Sequence, residues 1–172
     1  MVYFAAMDNK NPTADAGNDR QLLRHTVATL AYRARKPLTD APTNFSDFRI
    51  SQDARTPGQI LAHLGDLIDW ALSQAKGKAE WHDSPVVPWK EGVERFYKSL
   101  AALDAYLASS APLGEKPEKI FQGAVADSLT HVGQLAILRR LAGAPIRGEN
   151  YHKADIAPGR VGPDQPAPRR EF

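Results

Sequence analysis

In the segment ADSLTHVGQLAILRRLAG, residues 126–143, Asp127, His131, Gln134, Leu138 and Leu141 recur at i, i+4, i+7, i+11 and i+14. At about 100° per residue that spacing is one stripe of a helix. An acid and an imidazole four residues apart have Cβ atoms about 5–6 Å apart and can reach one cation. Earlier in the chain, His63 shares a helical line with Leu67 and Trp70, which turns it toward the same interior. His63, Asp127 and His131 together make a two-histidine, one-carboxylate donor set with coordination positions left open. That set suits catalysis, because a structural zinc site is usually closed by four protein ligands.

The same residues admit a plainer reading. An Asp-x-x-x-His pair is often a helical salt bridge, and His63 alone suits a core-edge histidine bonded to a carbonyl. Gln134 either orients a ligand or substrate oxygen or hydrogen-bonds an interhelical group. Asp66 and Asp69 read as solvating groups on the outer side of their helix. Glu149-Asn150-Tyr151-His152 has the Glu-x-x-His spacing of di-iron bundles, but once and outside a helix. His25 and His82 have no ligand-spaced neighbour. The chain has no cysteine, no nucleophile-elbow sequence and no glycine-rich phosphate loop.

These residues must be held by helices, and four helical patterns are legible. The first covers roughly 18–36, with Leu23, Val27, Leu30 and Ala34. The second begins at Thr56 as N-cap, with Pro57 at the first position and Gln59 at capping-box spacing. It carries Leu61, Leu64, Ile68 and Ala71 and stops near Gly77. The third, roughly 85–109, repeats Trp89, Val93, Phe96, Leu100, Leu103 and Leu107 at bundle-seam spacing. The fourth covers about 118–142 and is stopped by Gly143 and Pro145. Phe45, Phe48 and Ile50 are the buriable side chains of the long connection after Pro42. Four helices with one long crossover predict an all-α, up-and-down-type four-helix bundle over 18–145, preceded by a flexible segment, 1–17.

Residues 146–172 are rich in Pro and Gly and predict an irregular extension with a disordered last ten residues. Its spaced anchors Ile146, Tyr151, Ile156 and Val161 predict packing of 144–162 on the bundle. It is a candidate lid over the His131 end, with Tyr151 as anchor and Glu149 contacting the site. On the fourth helix, Val125, Leu129, Val132 and Ala136 form a second apolar stripe, which predicts a homodimer interface rimmed by Arg139 and Arg140.

A net charge of +2 with acids and bases interspersed argues against nucleic acid as partner. Neither a signal peptide nor a membrane-length apolar run is visible, so a soluble cytoplasmic protein is expected.

ILAHLGDLIDWAL, followed about sixty residues later by DSLTHVGQLAILRRLAG, resembles the DinB/YfiT-like superfamily of four-helix-bundle metalloproteins. HVGQLAILRRLAG, residues 131–143, carries most of the likeness through a His-x-Gly-Gln helix. The resemblance implies a divalent metal, often nickel or zinc, held by His63, Asp127 and His131, with Asp127 standing where the family usually has histidine. It also implies dimers and, in some relatives, transferases or isomerases that use a low-molecular-weight thiol. Two functions are therefore expected as alternatives. One is a metal-dependent transferase, isomerase or hydrolase acting on a small molecule. The other is a non-catalytic binding or interaction bundle with a structural polar network.

Overall fold

In the computed structural model, which describes residues 12–172 and side chains from Gly17 onward, four long helical stretches carry the chain. α1 spans Pro12–Leu38, α2 Pro57–Ala75 and α3 Trp89–Ala108. The fourth stretch joins α4 (Pro117–Ile120), a π-helical turn (Phe121–Val125) and α5 (Ala126–Leu141). Among the described residues, strand-like pairing is limited to an isolated bridge between Glu149 and Glu171, and the fold is all-α. None of these helices is long and apolar enough to cross a membrane. α1 starts ahead of the position near residue 18 that the sequence pattern predicts; residues 1–11 lie outside the described residues.

Local chemistry accounts for the boundaries of α2. The Thr56 hydroxyl accepts from the Gln59 N–H at 3.2 Å, and the Gln59 side chain accepts from the Thr56 N–H at 2.9 Å. Two orphan donors of the first turn are thereby satisfied. At the other end Gly77 takes φ +78°, and Gly114 crosses so close that a Cβ on it would lie 2.0 Å from the Gly77 Cα. That approach lets the Gly114 N–H cap the Ala75 carbonyl at 2.9 Å. The predicted stripes of α2 and α3 are core: Leu64, Ile68, Ala71, Phe96, Leu100 and Leu103 are fully buried.

α1 and α2 each pack on both α3 and α5, so the helices form a ring in which α1 faces α2 across a diagonal. The 39–56 connection spans that diagonal. Phe45 plugs it into the core, edge-on to Trp89 at 5.2 Å between centroids. Phe48 packs partly, whereas Ile50 stays 57% exposed.

α5 lies differently from its sequence pattern. Its core line is Val125, Ser128, Val132, Leu135 and Arg139, all buried. On the predicted stripe His131 and Leu138 are buried, whereas Asp127 sits at the edge of the core and Leu141 at its end is 57% exposed. Val125 and Val132 belong to the hydrophobic core and Leu129 packs against it. Two of the four residues in the stripe read as a dimer interface, Val125 and Val132, are thus interior to this chain, while Leu129 and Ala136 are partly buried.

Arg139, expected at a charged rim, is buried instead. Its guanidinium donates to the carbonyls of Pro37, Thr39, Asp40 and Ala144 at 2.8–3.3 Å and lies over the Phe45 ring. These include the carbonyls where α1 ends, and a cation there also complements the helix dipole. This cap lets α1 continue through Pro37 to Leu38, past the predicted stop.

The C-terminal extension does not lid the His131 end; it clasps α1. Glu149 accepts from the Tyr32 hydroxyl and pairs with Lys36 at 3.1 Å. Burial and the Glu149 carboxylate both push the Tyr32 pKa up, so the phenol stays a donor. Tyr151 meets Tyr32 edge-on and lies under the Arg33 guanidinium. Val161 is buried and Ile156 packs on the core, as the spacing predicts. The last ten residues, expected to be disordered, are tied down. Phe172 N–H donates to the Gly148 carbonyl at 3.0 Å, and Glu171 pairs with Lys36 at 2.6 Å. Charge pairing and backbone bridging supply the order that their polar, Pro-rich composition conceals.

Arg139→Met will leave one buried and three partly buried carbonyls without this donor. A loss of about 2–4 kcal/mol is expected, lowering the unfolding midpoint by roughly 5–15 °C. Arg140→Met, on an exposed neighbour, is expected within about 0.5 kcal/mol of the parent. Thermal unfolding of both variants checks this, and equal midpoints would contradict the capping role.

Candidate metal centre

Two of the candidate ligands come from α5 and one from α2, which the ring places side by side. His63 Nε2 lies 3.7 Å and His131 Nε2 3.6 Å from the same oxygen, Asp127 Oδ2. The three donor atoms all fall within 4.8 Å of one another. The imidazoles are edge-to-face at 4.9 Å between centroids. His131 is buried, His63 is mostly buried, and the Asp127 side chain is 47% exposed, so the group opens to solvent on the carboxylate side.

Gln134 is a hydrogen-bond partner of His131 and also lines a cleft beside it. Its Oε1 lies 2.7 Å from His131 Nδ1. An acceptor there holds the proton on Nδ1 and leaves the Nε2 lone pair facing His63 and Asp127, as a metal-binding imidazole requires. The i, i+3 spacing carries this signal in the sequence.

An aromatic wall backs the histidines. Trp81, on the connection after α2, stands edge-on to His63 at 5.5 Å and to Trp70 at 5.8 Å. Trp70 in turn lies over Gly123 in the π turn, where a Cβ would come 3.5 Å from its ring. The π turn thus ends just before Asp127 and carries the wall's support, a common location for such turns. The sequence pattern predicts one unbroken helix here and gives no sign of the turn or of Trp81.

Burial lowers the His63 pKa below the ordinary histidine value, helped by His131 and the nearby Arg55 guanidinium, while Asp127 and Asp66 oppose the shift. His63 is therefore a neutral imidazole at pH 7 and needs no deprotonation to accept a cation.

A second group of ligand-type residues, Asp66, Asp69 and His82, has a different fate. Asp66, read as a solvating residue, is buried. Arg95 Nη2 sits among the three, 2.6 Å from Asp66, 2.8 Å from Asp69 and 3.3 Å from His82. Burial raises the Asp66 pKa, but the Ser84 N–H and Arg95 outweigh it and hold the carboxylate below its usual range. Gly65 permits this, since a Cβ there would meet the Arg95 guanidinium at 2.8 Å. The cluster already contains its cation. Tyr151 and Glu149 belong to the α1 clasp and not to the His63 group.

Two outcomes follow. In the metal-free protein, NMR titration of His63 should give a midpoint below about 6.5. His131→Ala or Arg55→Gln should raise it and Asp127→Asn should lower it further. Because the shift is downward, the stability contributed by neutral His63 is complete above about pH 6.5. It is lost as pH falls through the lower, folded-state value. Separately, Gln134→Leu should weaken cation affinity about 10–100-fold with all three ligands present. Unchanged zinc affinity by competition titration would remove Gln134 from this role. Comparison with protein-family models, curated proteins and solved structures finds no match, so the chemistry of this site rests on its own geometry.

Proposed function

We propose that this chain is a divalent-metal-dependent enzyme acting on a small molecule by hydrolysis or group transfer. The observation that carries this reading is a spacing. The Asp127 carboxylate stands 3.6 and 3.7 Å from two imidazole nitrogens, beyond hydrogen-bond range. A direct hydrogen bond would close to about 2.7–3.2 Å, so neither imidazole takes this carboxylate as a direct partner. Donors around one tetrahedral zinc at about 2.0–2.1 Å stand roughly 3.3–3.5 Å apart, close to the observed separations.

His63 Nε2, His131 Nε2 and Asp127 would hold the ion, leaving coordination positions open toward solvent. Zinc and nickel both accept this donor set, and the resemblance to DinB/YfiT-like bundles points the same way. A bound cation would supply Lewis acidity, lowering the pKa of a water or thiol or polarising a carbonyl. The protein's share is positional. Gln134 fixes the His131 tautomer, Trp81 and Trp70 back the His63 ring, and Asp127 offsets one unit of the ion's charge. Since the chain has no cysteine, a thiol nucleophile would be a low-molecular-weight thiol arriving as cosubstrate.

Elemental analysis after zinc or nickel loading and dialysis should find about one ion per chain. His63→Ala, His131→Ala and Asp127→Asn should each deplete it, and ester-hydrolysis and thiol-transfer screens of the loaded protein should lose activity in parallel. A folded parent chain that takes up no ion would overturn this proposal in favour of a non-catalytic binding bundle.

A further inference from the structure

A cleft of about 420 Å³ opens beside His131. That volume lies in the range of sites for small organic ligands. Its walls are mostly aliphatic: Ile50 from the connection before α2, Ile60 from α2, and Ile137 and Leu138 from α5. Ile50 and Ile137 are 57% and 56% exposed, an unusual state for two large aliphatic side chains lining one cleft.

Arg55 lines the same cleft. Its neighbour Arg49 shapes the connection, donating to the Gln52 and Ala54 carbonyls at 3.2 and 3.1 Å. The Thr56–Gln59 capping box fixes the backbone on the other side. Arg55 itself has no hydrogen bond or ion pair among the described residues, so the local fold does not use its guanidinium. The only carboxylate of the His63 group is Asp127. A divalent ion there would leave a net charge of +1, and Arg55 adds another positive charge beside it. Aliphatic walls with an uncompensated guanidinium complement a ligand that is apolar along its body and anionic at one end.

We infer that this cleft is a binding site for a short aliphatic carboxylate, with Arg55 holding the carboxylate and Ile50, Ile60, Ile137 and Leu138 covering the chain. As an assignment of substrate class, this rests on the metal-dependent reading above, because His131 belongs to both the cleft and the ligand group. As a binding site it stands on Arg55 and the cleft walls, which need no metal.

The test is a ¹H–¹⁵N chemical-shift titration of the full chain with sodium hexanoate, metal-free and after zinc loading. Hexylammonium and acetate serve as comparators. Hexanoate should produce saturable shifts at Ile50, Arg55 and Ile137 in the metal-free chain, while hexylammonium should not and acetate should bind at least ten-fold more weakly. Arg55→Gln and Ile137→Ser alter exposed side chains. The first should weaken hexanoate at least ten-fold and the second several-fold, both with zinc stoichiometry unchanged. Equal affinity for hexylammonium, an unaltered affinity in Arg55→Gln, or no saturable shift would overturn the inference. Zinc uptake without hexanoate binding sinks this inference alone. Hexanoate binding by a chain that takes up no zinc upholds the site and sinks the metal-dependent reading.

Discussion

Arg139 fixes the junction of α1 with the connection that follows it to the C-terminal end of α5. Its donors bind carbonyls at the end of α1, at the start of the 39–56 connection and after α5. Burying a guanidinium is unfavourable unless its hydrogen bonds are met, and here they are met by one carbonyl of the last turn of α1, Pro37, and by three just past the two helix ends, Thr39, Asp40 and Ala144. One interaction thus resolves two desolvation problems. Its consequence reaches the site. The connection it secures leads to Ile50, Arg55 and the Thr56 cap, and the helix it belongs to carries His131.

The ring order of the helices follows from the same arrangement. With the connection crossing a diagonal, α5 lies between α1 and α2 and buries two of its faces. Val125, Val132 and Leu135 supply the apolar interior, leaving Asp127 and His131 at the margin toward α2. A ligand group deep in the core would be inaccessible, and one on the open surface would lack a fixed geometry. The margin provides one buried histidine, one partly buried histidine and one accessible carboxylate.

Much of this was legible in the sequence wherever the determining interactions are local. The Thr56–Gln59 capping box, the Gly77 stop and the stripes of α2 and α3 depend on residues three or four apart. Asp127 and His131 were legible for the same reason. Their meeting with His63 depended on α2 and α5 being neighbours, which apolar pattern alone does not determine. The role of Arg139 was hidden because its acceptors are backbone carbonyls about a hundred residues away. The final residues were hidden because their order comes from Lys36 and Gly148, and not from their own composition. The α5 core was legible only in part: His131 and Leu138 of the predicted stripe are buried, but Ser128 and Arg139 are buried too, which their polarity conceals.

Two groups of similar composition show what distinguishes a candidate site from a structural ion pair. Asp66, Asp69 and His82 offer a cation as many donors as His63, Asp127 and His131 do. In the first group an internal guanidinium lies within hydrogen-bond distance of all three, so no external ion is required for charge balance. In the second, the nearby Arg55 biases His63 toward its neutral form yet makes no ion pair with Asp127. A cation within the second group and an anion beside Arg55 would compensate each other across the same cleft. Residue type alone makes the two groups alike; the position of the arginine closes one with an internal cation and leaves the other without one.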